Sequence, residues 1–286
     1  MGDIMKKFKK ILMILAICSL SIVAIGCSSE ENNTKFSNEE MVKKVTEATK
    51  SIKSSKVRVE NKAITEVSDQ KKEISTNFDI ITSSNPSIVK LTGKVRTFGQ
   101  IGLYDTDNLS GNQDINIYYS EDDIYILDVQ DNKWLNVKGP DQKKELNFQK
   151  KVDRLDVIIE LMNTFKNDLK IEEKDSEYEI TFEGESKSVK EALEKAFKAN
   201  GLADDEEEFN DFKLEKLKLE YKFDKETFIP KEHKIEIILK KSTYSYELIS
   251  TMEIKSMYSD INKVEPITIP DEVKNAKEWY GGNIKR

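Results

Sequence analysis

Between Tyr244 and Tyr258 the positions Tyr244, Tyr246, Leu248, Met252, Ile254 and Tyr258 are apolar and in phase over fifteen residues. Successive side chains of a β-strand point to opposite faces, so a period of two marks a strand with one buried and one solvated face. Strands typically run to about 5–6 residues. One of this length belongs to a large curved sheet or a barrel wall. The stretch before it reads the same way. Leu217, Leu219, Tyr221 and Phe223 alternate with charged residues, and Ile235, Ile237 and Leu239 follow. The phase slips between Phe212-Leu214 and Leu217, which predicts a β-bulge.

The first half of the chain continues the theme. Val57, Val59, Ala63 and Val67 alternate with Lys56, Arg58, Glu60, Lys62 and Glu66. Phe78 and Ile80 are in phase, and Val89, Leu91 and Val95 follow an Asn85-Pro86 turn. Ile115, Ile117 and Tyr119 lead into Tyr125, Leu127 and Val129, then Trp134 and Val137. This order predicts a meander of antiparallel strands. Tyr178, Ile180 and Phe182 add one more strand.

Helical spacing appears in three places. Ser37 and Glu40 form a capping box ahead of Met41, Val45, Ala48 and Ile52, and Ser54-Ser55 closes that helix. Val152, Leu155, Ile158 or Ile159, Met162 and Phe165 make a second helix, apolar on more than one side. Ser188 and Glu191 suggest another capping box, ahead of Val189, Leu193, Ala196 and Phe197, with Asn200-Gly201 as the stop. No Pro/Gly-rich linker divides residues 37–279, which are expected to form one domain, with a tail over 280–286. The predicted class is α+β: a large curved antiparallel sheet, or half-open barrel, wrapped around an N-terminal helix and two mid-chain helices.

The N-terminus has a different character. Lys6, Lys7, Lys9 and Lys10 precede an uncharged apolar run from Ile11 to Gly26. That run is shorter than the roughly 20 residues a membrane-spanning helix needs, and it suits the apolar core of a signal peptide. Ala24, Ile25 and Gly26 lead into Cys27, which resembles a lipobox, although Ala24 stands where leucine is commonest. The resemblance implies a signal peptide over residues 1–26, lipidation of Cys27 and a polar tether over 27–36. The expected location is the cell membrane, on its extracytoplasmic face. A plain anchor or an ordinary secretory signal is the alternative, and Met5 offers a second start. Two acyl chains on one diacylglyceryl group hold a protein stably on a bilayer.

Cleavage before Cys27 removes four lysines and Asp3, a net +3, and takes the formal charge from −7 to −10. A body so acidic does not favour nucleic acid. The only other cysteine, Cys18, leaves with the signal, so the folded part has no thiol for disulfide, redox or nucleophilic chemistry.

The order of lipobox, tether, helix, long strands, two helices and long strands resembles the LolA-like lipoproteins. It is most similar to uncharacterised Gram-positive members of that arrangement. The local matches are Tyr118-Tyr119 with Tyr125, Lys133-Trp134-Leu135-Asn136-Val137 ending near Pro140-Asp141, and Ile267-Thr268-Ile269-Pro270 with Asp271 and Glu272. Members such as the mycobacterial LppX-type and LprG-type proteins enclose an apolar cavity for acyl chains. The resemblance therefore implies non-catalytic binding or carriage of a lipid-like or other apolar ligand. Tyr221, Phe223, Tyr244, Tyr246, Leu248 and Met252 are the candidate cavity-lining residues. The same residues also fit a fully packed core. The alternative function is a protein-interaction or signalling module at the cell envelope, with an envelope protein as its partner.

Little else suggests chemistry. His233, the single histidine, lies between Glu232 and Lys234 and is expected at the surface. The acidic run from Asp204 to Glu208 lacks the alternate spacing of a calcium loop, and Asp105, Asp107 and Asp114 with Gly111 match one poorly. Gly93, Gly99 and Gly102 form no phosphate-binding loop, and no serine sits in a nucleophile elbow. No metal, cofactor or enzymatic activity is expected. Replacing Cys27 with Ser should release the protein from the membrane fraction or leave it unprocessed. An unchanged, lipid-labelled product would refute the anchor.

Overall fold

The computed structural model describes residues 35–99, 111–140, 143, 155–192, 212–242 and 247–281. The signal peptide, Cys27, Tyr244, Tyr246, Asp105, Asp107 and the acidic run at 204–208 lie outside them.

Among the described residues, twelve strands form one open sheet in the order β12-β6-β5-β4-β3-β2-β1-β11-β10-β9-β8-β7. It is two meanders laid side by side. β1 (Ser54–Val67), β2 (Gln70–Ser84), β3 (Ser87–Gly99), β4 (Gly111–Tyr119), β5 (Ile124–Asp128) and β6 (Lys133–Val137) step outward from the centre to one edge. β7 (Lys170–Glu173), β8 (Glu177–Gly184), β9 (Lys213–Asp224), β10 (Pro230–Ser242) and β11 (Glu247–Ser259) start at the other edge and step back to the centre. The halves meet where β1 pairs antiparallel with β11, from Lys56 opposite Ser259 to Val67 opposite Leu248. β12 (Lys277–Trp279) adds to β6 in parallel. The predicted bulge is present: the β9–β10 register shifts between Ile238 and Leu239, leaving Glu215 as the extra residue.

Helix α1 (Asn38–Lys50) begins with the expected capping box, in which Ser37 and Glu40 bond reciprocally. It ends at Lys50 with Ser51 as its C-cap, and Ser54 already belongs to β1. The connection from the β6 edge to the β7 edge carries α2 (Leu155–Thr164). Met41, Val42 and Val45 of α1, with Leu161 and Met162 of α2 and Phe165 just beyond it, join the sheet's apolar face in one continuous core. The Asn38 side-chain amide fastens α1 to the turn that follows α2, donating to the carbonyls of Lys166 (2.6 Å) and Leu169 (2.9 Å). A third helical segment, α3, covers 187–192. Its cap differs from the sequence expectation, because Ser186 rather than Ser188 accepts the Val189 N–H (3.2 Å).

The strands sort their residues by face. On the core face lie Val57, Val59 and Ala63 of β1; Ile74, Phe78 and Ile80 of β2; Ile235 and Ile237 of β10; and Met252 and Ile254 of β11. Cross-strand ion pairs line the opposite face: Arg58–Asp79 (3.0 Å), Lys62–Glu73 (3.3 Å), Lys216–Glu236 (3.0 Å) and Lys255–Glu232 (2.9 Å). Surface pairs of this kind contribute about 0–1 kcal/mol each. Their larger effect is on register, because a one-residue slip would carry every charge into the core. Gly93 makes room for its partner across β2 and β3: a Cβ there would lie 2.5 Å from the Phe78 ring and 2.1 Å from the Asn77 carbonyl oxygen.

One part of the sheet is covered on both sides. Ile267, Ile269, Val273 and Ala276, around the short helix α4 (Asp271–Lys274), pack against Ile88, Tyr118, Tyr125 and Trp134. This corrects the facing expected for β5. Ile124 and Ile126 face the main core, Tyr125 faces the C-terminal segment, and Val129 is exposed. Burial on both faces erases the alternation that would have told them apart.

Ile254 sits at the middle of the central seam, opposite both Asn61 and Ile235. Changing Ile254 to Ala should cost about 2–5 kcal/mol in urea-induced unfolding. A loss below about 1 kcal/mol would mean that this face is loosely packed.

Candidate functional site

Over the middle of the central strands charge is confined to one face, and the other face provides the candidate site. The inward positions of β1 from Val57 to Ala63, β2 from Ile74 to Ile80, and β11 from Met252 to Tyr258 hold no Asp, Glu, Lys or Arg. Within this uncharged wall lie a few buried polar side chains: Asn61, Thr76, Ser256 and His233.

Asn61 and Thr76 are directly opposite one another across β1 and β2. Directly opposed residues of an antiparallel pair have Cβ atoms about 4.5–5.5 Å apart. Asn61 is 4% exposed and Thr76 1% exposed. Both polar atoms of the Asn61 amide, and the Thr76 hydroxyl, lack a hydrogen-bond partner in the described residues. Val59, Ala63, Ile74, Phe78, Val95 and Ile254 surround the pair, all buried. Each buried polar group left without a partner costs about 1–3 kcal/mol relative to water. An apolar pair of similar shape would avoid that cost. The two side chains therefore weaken the sheet where its two meanders join.

The next row of the same face is also polar. Ser256 stands between Val59 and His233, and His233 stands opposite Tyr221. The His233 ring is 6.4 Å from that of Tyr221, and its Nδ1 shares a 3.1 Å hydrogen bond with the Tyr258 hydroxyl. The surface position expected for His233 is wrong: it is 7% exposed. Its flanking Glu232 and Lys234 point outward, and its own position is in phase with Ile235 and Ile237. Desolvation lowers its pKa to about 3, so it is a neutral ring at physiological pH.

The other candidate residues distribute along this wall. Tyr221 and Phe223 are buried on β9, with Phe223 opposite Tyr178 and Pro230. Met252 is buried opposite Ala63 and Ile237. Leu248 is half-buried at the end of the seam, opposite Val67 and Lys241. Asp114, from the weak calcium pattern, lies 3.6 Å from Lys94 as an exposed ion pair. Among the described residues no three His, Cys, Asp or Glu side chains gather as a metal site. No described helix is long and apolar enough to cross a membrane.

Asn61 and Thr76 were not singled out from sequence. The available signal was a polar residue in the apolar phase, Asn61 between Val59 and Ala63 and Thr76 between Ile74 and Phe78.

A family model described as a family of unknown function (DUF6612) matches residues 37–278. No curated protein matches the chain. Among solved structures, the crystal structure of a DUF1329 family protein from Desulfovibrio piger is similar over 78% of this chain and 91% of that one, at 8% identity and a TM-score of 0.20.

The depressed pKa of His233 has a measurable consequence. Its value falls from 6.5 in the unfolded chain to about 3 on folding, so the unfolded chain takes up the proton first as pH drops. The stability this neutral ring supports is complete above about pH 6.5. It declines by about 1.4 kcal/mol per pH unit as the pH falls toward 3. In His233→Asn that component should vanish, and the urea midpoint should fall less between pH 7 and pH 4.5 than in the wild type. Equal falls would show that the imidazole is solvated.

Proposed function

The chain belongs to the DUF6612 family, a family of unknown function, and from that premise we propose that it is a membrane-anchored extracytoplasmic lipoprotein that binds or carries a lipid-like ligand without catalysis. In this reading the twelve-stranded sheet curves into a LolA-like half-barrel, with α1 and α2 on its concave side. The ligand lies between sheet and helices, and the diacylglyceryl group on Cys27 keeps the domain beside the bilayer.

The observation that most supports the reading is the uncharged inner face described above. It runs from β4 through the central seam to β8, and among the described residues no Asp, Glu, Lys or Arg is buried. An acyl chain has no hydrogen bonds to satisfy, and such a wall offers it burial at about 25 cal/mol per Å². Met252, Tyr221 and Phe223 provide adaptable and aromatic contacts along the wall. The acidic outer body fits a protein held near anionic membrane surfaces without adhering to them.

Organic extraction of the full chain purified from its own membranes, followed by mass spectrometry, tests this reading. A lipid class recovered in roughly stoichiometric amount, and absent from an unrelated lipoprotein purified in parallel, is the expected result. Only detergent and bulk membrane lipid in bulk proportions, together with a protein partner captured by crosslinking in cells, would overturn it in favour of an interaction module.

A further inference from the structure

We infer that Asn61 and Thr76 form the polar anchor of the ligand site, and that the group they recognise is uncharged and carries a carbonyl beside a hydroxyl, as at the glycerol end of an acylglycerol. The inference rests on the ligand-carrying reading above and specifies its chemistry.

Three features point to this class. The Asn61 amide offers two N–H donors and a carbonyl acceptor, and the Thr76 hydroxyl both donates and accepts. All three polar atoms are buried without a protein partner. Their combined pattern complements a group that presents an acceptor and a donor close together. The second feature is the surroundings: Val59, Ala63, Ile74, Phe78, Val95 and Ile254 provide no counter-charge. A carboxylate or phosphate buried there would be unpaired, and a neutral His233 one row away does not supply a positive charge. The third is position. The pair lies on β1 and β2, beside the seam, with apolar wall extending to both sides, through Val95 on one and Ile254, Ile235 and Leu219 on the other. An acyl chain attached to the anchored group has an apolar path across the seam, over Ile254, Ile235 and Leu219.

The inference separates anchoring from structure because the two roles oppose each other. An Asn61→Leu variant removes the unpaired amide and keeps a similar volume. A purely structural pair predicts an equal or higher melting temperature with unchanged lipid binding. An anchor predicts an equal or higher melting temperature with lost binding. The full chain, purified in mild detergent, is incubated with monooleoylglycerol or with oleic acid at pH 8, and bound fractions are read by native mass spectrometry. Wild type should bind monooleoylglycerol at least tenfold more tightly than oleate. Asn61→Leu and Thr76→Val should each lose about tenfold for monooleoylglycerol and leave oleate binding unchanged.

If both variants bind monooleoylglycerol as the wild type does, the anchor is overturned while lipid carriage stands. Oleate preferred over monooleoylglycerol by the wild type overturns the neutral-headgroup assignment in the same way. Binding of neither probe, combined with no lipid on extraction, removes the carriage reading and the anchor with it. Should Asn61→Leu misfold, Thr76→Val, which deletes only a hydroxyl, decides the question alone.

Discussion

Twelve consecutive residue pairs join β1 to β11, and the architecture depends on that seam. β1 follows the N-terminal helix and β11 ends the second meander, so the contact closes a loop of nearly two hundred residues. Closing a loop of that length is entropically costly, though the cost grows only slowly with length. The seam meets it with apolar burial on one face and charge pairing on the other. Its lower end has a separate fastening. The Asn262 side chain accepts from the Lys53 N–H (2.6 Å) and donates to the Ser51 carbonyl (3.2 Å), and its own N–H reaches the Ser54 carbonyl (2.8 Å). Asn262 has a φ of 58°, a left-handed conformation that asparagine tolerates better than most residues. The turn after β11 thereby fixes the entry of β1.

From the seam follows the division between the two faces. Once β1 and β11 are in register, every neighbouring strand inherits the same inward set, and the charged residues have only the outer face to occupy. Where the C-terminal segment returns across β3 to β6, it covers that outer face with Ile267, Ile269 and Val273. Lys138 and Asp123 then pair at 2.5 Å beside Tyr125, which holds the Asp123 carboxyl below its usual range. The three short segments whose sequence carried the family resemblance, around Tyr118 to Tyr125, Trp134 and Ile267 to Glu272, are thus physical neighbours. Their shared signature is one small second core.

Much of the sheet was legible because one-sided burial writes itself into sequence as a period of two. β1, β2, β9, β10 and β11 are read correctly for that reason, as is the bulge at Glu215, where the phase slips. The capping box of α1 was equally plain. Reading failed where burial is two-sided or where polarity and burial part company. β5 is apolar on both faces, so its phase gave no orientation. His233 looked solvated because its neighbours in sequence are charged, while its neighbours in space are Tyr221, Tyr258 and Ser256. Asn61 and Thr76 escaped notice because a single polar residue in an apolar phase is easily taken as an interruption of the pattern. In space they face each other, and only the pairing of the strands brings them together.

On the proposed reading, the uncharged wall is where an oily molecule rests. Photo-crosslinking tests this most directly: cells expressing the full chain take up a diazirine-bearing acylglycerol, are irradiated, and the modified residues are mapped by mass spectrometry. Adducts on inward residues of the seam, such as Met252, Ile254 and Val59, are expected. Adducts confined to outward residues such as Lys62 and Glu253, or to the segment next to Cys27, would contradict the account.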